Sequence, residues 1–386
     1  MAFQMQGDGR RFQTNQRIWP TSHHNSLPPP LPRPVVHARG RQGDRDVGKK
    51  RPFGTDLTNQ RQRFDPPAQK NARLYSPPQR PQLDDSLLGN VRLLLFNEDG
   101  SRRLERALNE GGPTAAILNE GLAVWPHAMM HCYGNFVFQK LMECSTPGER
   151  VTLVRCVRTR LVDASMNKYG SLSIRRIVEV CSIKSMNVSG EEAACNHIVF
   201  KVLTDALRPY AVRLCFDTHA TFVIQCILLK LPYYQYTQFI FEAVAANIVN
   251  VACNRNGYFV VLRCLESCHS EARTQVVKRL VENSFDFMQN AYAGFTVQKA
   301  LDVCGDDEVR AICESVVGNV RQLAIQKYGN HAIQKCLECC SDSIREKYLC
   351  ELIDSGRIRE LMMHPVGNYV LQICSWKFSR QLRRWR

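Results

Sequence analysis

The chain has 386 residues, a formal net charge of +15 at neutral pH and an apolar fraction of 44%. No apolar run approaches the ~18 residues that span a bilayer, and the opening Met1-Ala2-Phe3-Gln4-Met5-Gln6 lacks the apolar stretch of a secretory signal. There is no phosphate-binding Gly loop, nucleophile elbow or His-Glu-x-x-His, so a soluble, intracellular, non-enzymatic protein without a cofactor is expected.

Residues 1–84 hold 15 of the 51 Lys+Arg, 6 of the 36 Asp+Glu and 12 of the 18 Pro, leaving +9 in this segment and +6 in the rest. Few apolar residues, many prolines and charge of one sign cannot offset the entropy of ordering a backbone, so a disordered, basic N-terminal tail is predicted. Pro28-Pro29-Pro30-Leu31-Pro32-Arg33-Pro34 reads as polyproline II, a stiff spacer. Lys49-Lys50-Arg51-Pro52 reads as a solvated charge run, with nuclear import as the sharper alternative.

Order is predicted from Asp85 onward, where Leu87-Leu88 and Val91-Arg92-Leu93-Leu94-Leu95-Phe96 open a helical pattern. From here a short phrase recurs eight times. Its clearest copies are Tyr133-Gly134-Asn135-Phe136-Val137-Phe138-Gln139, Tyr328-Gly329-Asn330-His331-Ala332-Ile333-Gln334 and Val366-Gly367-Asn368-Tyr369-Val370-Leu371-Gln372. In weaker copies the Asn position is taken by Ser101, Ser171, Thr221, Tyr258 and Gly294, and successive anchors lie 34, 36, 50, 37, 36, 36 and 38 residues apart. A fixed period in this range marks a stacked solenoid.

Numbering the anchor as position twelve, each unit reads as a pair of helices, the second beginning at the phrase. Position eleven is Gly in six copies and Ala in two, Ala220 and Ala293, which suits a tight turn between the helices. The spacing of 50 implies an insertion of ~14 residues near 182–195, of a kind that surface loops absorb at little cost. Only 14 residues follow Gln372, a thin cap for a solenoid.

All 17 cysteines fall after residue 85. Cys264, Cys336 and Cys374 lie six residues after their anchors, and Cys181, Cys268, Cys304 and Cys340 lie ten after. These offsets share one helix face, and a free Cys is a small buried hydrophobe. Cys336-Leu337-Glu338-Cys339 has no second pair at zinc-ligand spacing, so core packing is expected and no metal.

Positions twelve and sixteen share a helix face and thirteen lies beside them. Asn and Gln each present an acceptor and a donor that a base edge can meet. The thirteenth residues are Arg102, Phe136, Leu172, Phe222, Phe259, Phe295, His331 and Tyr369. All but Leu172 can stack on a base, which requires unpaired bases. A ring here is more often ordinary core, yet eight copies in phase argue for a single-stranded ligand. Position seventeen is basic in six copies, Arg106, Lys140, Arg176, Arg263, Lys299 and Lys335, a further pull on phosphates.

With these motifs, residues 85–386 resemble a Pumilio-type (PUF) RNA-binding domain, a module that reads one base per helical repeat. The resemblance implies an all-α, right-handed solenoid crescent of eight repeats, monomeric, holding RNA antiparallel on its concave face. It also implies binding to mRNA 3′ untranslated regions to control translation and decay, with decay or translation-repression factors as partners and the cytoplasm as site of action. By the family's pairing rules Asn368/Gln372, Asn330/Gln334 and Asn135/Gln139 each select U. Ser101/Glu105 resembles a G-selecting pair and Ser171/Arg175 a C-selecting one. Gly294/Gln298 and Thr221/Gln225 point weakly to A, while Tyr258/Leu262 matches nothing and stacks or skips its base. The expected core is 5′-U-U-A-N-A-C-U-G. It departs from the family's usual U-G-U opening because Asn330 and Gln334 stand where Ser and Glu are typical. The rival readings are a nucleolar ribosomal-RNA processing relative with low sequence preference and a protein-binding helical scaffold.

Overall fold

A computed structural model describes residues 87–183, 190–231, 233–267, 270–353 and 358–377, all within the compact unit Tyr75–Arg386. The predicted tail, the last nine residues and Cys268 lie outside the described residues. Every regular element among the described residues is helical, as the 3.6-residue periodicity required.

The eight phrases open eight helices: Glu98–Asn109, Gly134–Cys144, Gly170–Ile183, Ala220–Lys230, Gly257–Glu266, Ala293–Val303, Gly329–Cys339 and Asn368–Lys377. Each packs on the phrase helix of the next repeat, from the first to the eighth, forming one continuous row. A second row is built from the helices that follow the phrases, among them Pro147–Val157, Gly190–Leu207, Tyr234–Ala246, Ser270–Glu282 and Asp306–Glu314. Leu, Ile, Val, Cys and Phe side chains from both rows fill one uninterrupted core, with Trp125, Phe138, Phe200, Phe241 and Phe287 the largest fully buried apolar ones. The solenoid expected from the repeat period is what these contacts describe.

Among the described residues, the second to eighth repeats each have three helices where the sequence reading expected two. A short helix intervenes before the phrase, for example Ile248–Ala252, Ser284–Met288 and Val320–Ala324. The break falls at Asn247, Asn283 and Asn319, whose backbones leave the helical region (φ −126°, −114° and −128°). Asn247 Nδ2 donates to Ala243 O at 3.0 Å and Asn283 Nδ2 to Arg279 O at 2.8 Å, so the side chain itself ends the long helix. Asn competes with helical backbone for its carbonyls in this way, and all three sit eleven residues before their anchors.

Position eleven also has a different cause from the one expected. Gly134, Gly170, Gly257 and Gly329 do not adopt positive φ. A Cβ on each would instead lie 2.8, 2.5, 2.4 and 2.7 Å from a carbonyl oxygen of the short helix, that of Ala128, Ala164, Val251 and Leu323 respectively. Glycine is there because two backbones approach closely, not because the chain turns.

The long spacing after the third anchor is not mainly a loop. The third phrase helix runs to Ile183 and the next helix, Gly190–Leu207, has 18 residues against 11 in Pro147–Val157. The surplus lengthens two helices, leaving 184–189 outside the described residues. Glu192, in the added turn, pairs with the buried Arg150 at 3.2 Å, while Arg150 Nε donates to Met142 O at 3.1 Å. Arg345, the equivalent residue of the seventh repeat, donates to Leu337 O at 3.2 Å and Cys340 O at 2.6 Å. A guanidinium thus satisfies the C-terminal carbonyls of these phrase helices.

The cysteines take the core positions their offsets implied: Cys264, Cys336 and Cys374 are buried, as are Cys181 and Cys340, while Cys304 is half-buried. Burial pushes the Cys215, Cys340 and Cys374 thiols up to about 12, so they stay protonated at neutral pH and are poor nucleophiles.

Candidate nucleic-acid interface

Seven of the eight phrase helices are started by a side chain four residues before the anchor; in the seventh, Gln326 reaches Gln289 instead. Asn167 Oδ1 accepts from the backbone N–H of Tyr169 and Gly170, and Asp217, Asn254 and Asn290 do the same for the next two residues of their own phrases, at 2.8–3.1 Å. His364 Nδ1 accepts from Val366 and Gly367 at 3.2 and 3.0 Å. These bonds satisfy orphan donors at the helix start and fix where positions twelve, thirteen and sixteen point. The recurrence of Asn or Asp at this offset is visible in the sequence as a polar signal outside the phrase itself.

Position thirteen faces outward. Phe136 is 52% exposed, Phe222 53%, Phe295 37% and Tyr369 54%. Arg102, Leu172 and His331 are exposed as well, and Phe259 is half-buried. Four large rings held in water by a regular row of helices are unusual in a packed solenoid, where such side chains serve the core. The arrangement offers flat surfaces at one repeat spacing.

Position twelve faces inward, which the sequence reading did not anticipate. Asn135 is 0% and Asn330 1% exposed. Asn135 Nδ2 donates to His131 O and Cys132 O at 2.8 and 2.9 Å. Asn330 Nδ2 donates to Ala324 O at 2.7 Å and across the repeat boundary to Val366 O at 2.9 Å. Because both partners are carbonyls, the amide nitrogen must be the atom facing them. The side-chain oxygens then accept from position sixteen: Gln139 Nε2 at 3.0 Å, and Gln334 Nε2 in a short bond. Gln225 Nε2 similarly reaches Thr221 Oγ1 at 3.4 Å, and Thr221 donates to Asn256 O of the next repeat at 3.3 Å. Gln298, with Gly294 at its position twelve, turns to the Gly294 carbonyl at 3.3 Å.

The terminal repeats differ. Ser101 Oγ is bonded to the Leu94 and Leu95 carbonyls at 3.3 and 3.2 Å, Glu105 is half-buried, and Arg102 pairs with Glu98 at 2.6 Å. In the eighth repeat Asn368 Oδ1 is buried without a partner and Gln372 is exposed. In the third, Ser171 Oγ donates to Lys168 O at 3.1 Å and Arg175 is half-buried. The fifth repeat, whose Tyr258/Leu262 pair matches no pairing rule, differs most. Tyr258 and Leu262 are buried, so neither presents an edge; bulk at position twelve draws the ring into the seam with the sixth repeat.

Five of the six basic residues at position seventeen are held in ion pairs; Arg106 of the first repeat is exposed and has Asn109 at position twenty. Lys140, Arg176, Arg263 and Lys335 pair with an acid three residues on, Glu143, Glu179, Glu266 and Glu338. Arg176, Lys299 and Lys335 also reach back to the acid of the preceding repeat, Glu143 at 3.4 Å, Glu266 at 2.8 Å and Asp302 at 2.5 Å. The result is a ladder of ion pairs joining successive phrase helices. The signal was an acid at position twenty, one turn after five of the six basic residues. For Glu266, burial alone would raise the carboxyl, but hydrogen bonds from Lys299 and Arg263 outweigh it and hold the group below its ordinary range. Lys335 is held above its usual value by its hydrogen bond to Asp302, against the opposing effect of burial. The ladder is interrupted in the fourth repeat, where Cys226 and Leu229 replace the charges; burial and Glu179 push the Cys226 thiol up to about 11 against the pull of Arg175.

A profile of the Pumilio-family RNA binding repeat matches residues 128–157, 160–184, 247–281, 283–317, 319–353 and 357–374. These segments contain the phrases of six of the eight repeats; the first and fourth are placed by phase and by their stacking. The chain belongs to the Pumilio family. It is 28% identical over 289 residues to a Pumilio domain-containing protein of Schizosaccharomyces pombe, covering 74% of this chain and 40% of that one. It is 27% identical over 290 residues to Pumilio homolog 12 of Arabidopsis thaliana, covering 74% and 46%. The chain therefore spans less than half the length of these relatives. Among solved structures, the Puf4 RNA binding domain bound to an HO endonuclease RNA 3′ UTR recognition sequence superposes with a TM-score of 0.66 at 26% identity. That match covers 74% of this chain and 86% of the Puf4 chain.

Proposed function

We propose that this protein binds single-stranded RNA along its row of phrase helices, one nucleotide per repeat, and acts on mRNAs through their 3′ untranslated regions. The observation that carries the reading is the set of solvent-exposed rings at position thirteen: Phe136, Phe222 and Tyr369 each stand beside an amide or hydroxyl pair at twelve and sixteen, and Phe295 beside Gln298 alone. Each stacked base contributes about 1–3 kcal/mol on such a surface, and only an unpaired base can reach it. The Puf4 structure, whose RNA is a 3′ UTR recognition sequence, supports the same class of target here.

The hydrogen bonds refine the base assignments. In the second and seventh repeats the Asn is spent on backbone carbonyls and positions its Gln. The Gln then offers its remaining N–H and its oxygen side by side. Uracil presents a donor at N3 between two acceptors, so this donor–acceptor pair fits it. Gln139 and Gln334 are assigned the direct contact, with Asn135 and Asn330 behind them. Cytoplasmic residence and recruitment of decay or translation-repression factors belong to the proposal; localisation of the fluorescently tagged full chain tests the first.

The binding experiment uses 5′-UUAAACUG, single-stranded and annealed to its complement. The single strand should bind and the duplex should not compete. Phe136→Ala should weaken binding by about 5- to 150-fold, the equivalent of one stacked base. Equal affinity for duplex, or no loss in the Phe136 variant, would refute the reading.

A further inference from the structure

Position twelve is small or an amide in every repeat except the fifth, where it is Tyr258. This ring is 6% exposed and does not stand in the row as the position-thirteen rings do. It lies 4.1 Å from Phe259 at 33°, 5.7 Å from Tyr292 at 28° and 5.9 Å from Phe295 at 32°, centroid to centroid. Tyr292 and Phe295 belong to the phrase of the sixth repeat, so four rings close the seam between the two phrase helices. Leu262, at position sixteen, is buried beneath it. Phe259 and Phe295 are correspondingly less exposed than Phe136, Phe222 or Tyr369.

The separations and small interplanar angles are those of packed aromatic pairs, which are favoured beyond their area alone. A base entering here would have to displace Tyr258 from three neighbours. It would then meet Leu262, which has no donor or acceptor to repay desolvation of the base edge. The second, fourth, seventh and eighth repeats present the reverse arrangement, an open ring beside a polar pair.

We propose that the fifth repeat is a spacer: Tyr258 occupies the slot a base would fill, and the nucleotide opposite it is spanned with its base outside the row. This deepens the RNA-binding reading and rests on it. In the antiparallel order that nucleotide is the fourth of eight. The protein then selects two short blocks, three nucleotides against repeats eight to six and four against repeats four to one, separated by one unread position.

The test uses the full-length protein and 5′-UUAAACUG carrying a single abasic nucleotide at each position in turn. An abasic site at positions two or seven, opposite the seventh and second repeats, should weaken binding at least about fivefold, as loss of a stacked base does. At position four the change should stay below about twofold, and all four bases there should bind alike. A loss at position four equal to that at two and seven overturns the inference while leaving the binding reading intact. Indifference at every position overturns the reading itself, and the inference with it. As a second measurement, Tyr258→Asn with Leu262→Gln copies the seventh-repeat pair. If its selectivity for U at position two is retained, which shows it folded, a new preference of about tenfold for U at position four supports the slot. Unaltered indifference there contradicts it.

Discussion

Asn330 and Gln334 share one phrase but do different physical work, and substitution separates them. Asn330→Ala removes two donors from the Ala324 and Val366 carbonyls. Leaving buried acceptors unpaired costs about 1–3 kcal/mol, so the variant should melt earlier and lose selectivity at one base only as a consequence. Gln334→Ala removes a half-buried side chain bonded only to Asn330. It should leave the melting temperature nearly unchanged and abolish preference at the second RNA position. Thermal unfolding beside affinity for U and C at that position checks both; equal destabilisation of the two variants would contradict the division. The sequence revealed that these residues recur on one face, because spacing is periodic. It could not reveal which faces inward, since that depends on how deeply the phrase helix settles against the short helix before it.

At the scale of the helix, Gly257 and Gly294 are a paired test of close packing. A methyl group on Gly257 would lie 2.4 Å from Val251 O, whereas on Gly294 its nearest neighbour, Phe287 O, is 3.6 Å away. Gly257→Ala should destabilise by about 1–3 kcal/mol through enforced backbone displacement. Gly294→Ala should be neutral or stabilising, by up to about 1 kcal/mol of helix propensity. Chemical denaturation of the two proteins decides it. The ion-pair ladder gives a pH signature. Glu266 has a folded value below its ordinary 4.5, so its contribution is complete above that value and disappears as pH falls through the lower folded one. Glu266→Gln should therefore lower stability at neutral pH and flatten the acid limb, with the gap closing in high salt. A parallel acid limb in the variant would show that the ladder is without energetic weight. The helix pairs and the Cys positions were legible from periodicity alone. The third, short helix and the ladder were not, because their signals are single polar residues present in only some repeats, Asn247, Asn283 and Asn319 at one offset and acids at another, which a search for apolar spacing passes over.

Over the whole molecule, stability and the proposed recognition are divided among positions of the same phrase. Position eleven, the Asn or Asp cap and the ladder hold the row; positions thirteen and sixteen are those proposed to meet the ligand. The repeat count was readable because a fixed period survives local divergence. That is why the first and fourth repeats, outside the segments matched to the family profile, still align in phase and stack in order. The fifth repeat kept its phase while its chemistry changed, and only the ring contacts of Tyr258 show what it became. Residues 1–84 carry +9 of the +15 charge. Their deletion should reduce affinity for any RNA by a similar factor and shallow its salt dependence, leaving sequence preference unaltered. The measurement that tests the central claim most directly is a randomised-RNA selection on the wild-type chain and on Asn330→Ser with Gln334→Glu. The wild type should enrich U at the second position, and the variant should enrich G there with every other position unchanged. A wild-type motif opening U-G-U would contradict the assignment of U to Asn330 and Gln334, and a variant motif identical to the wild type would contradict base reading by this row.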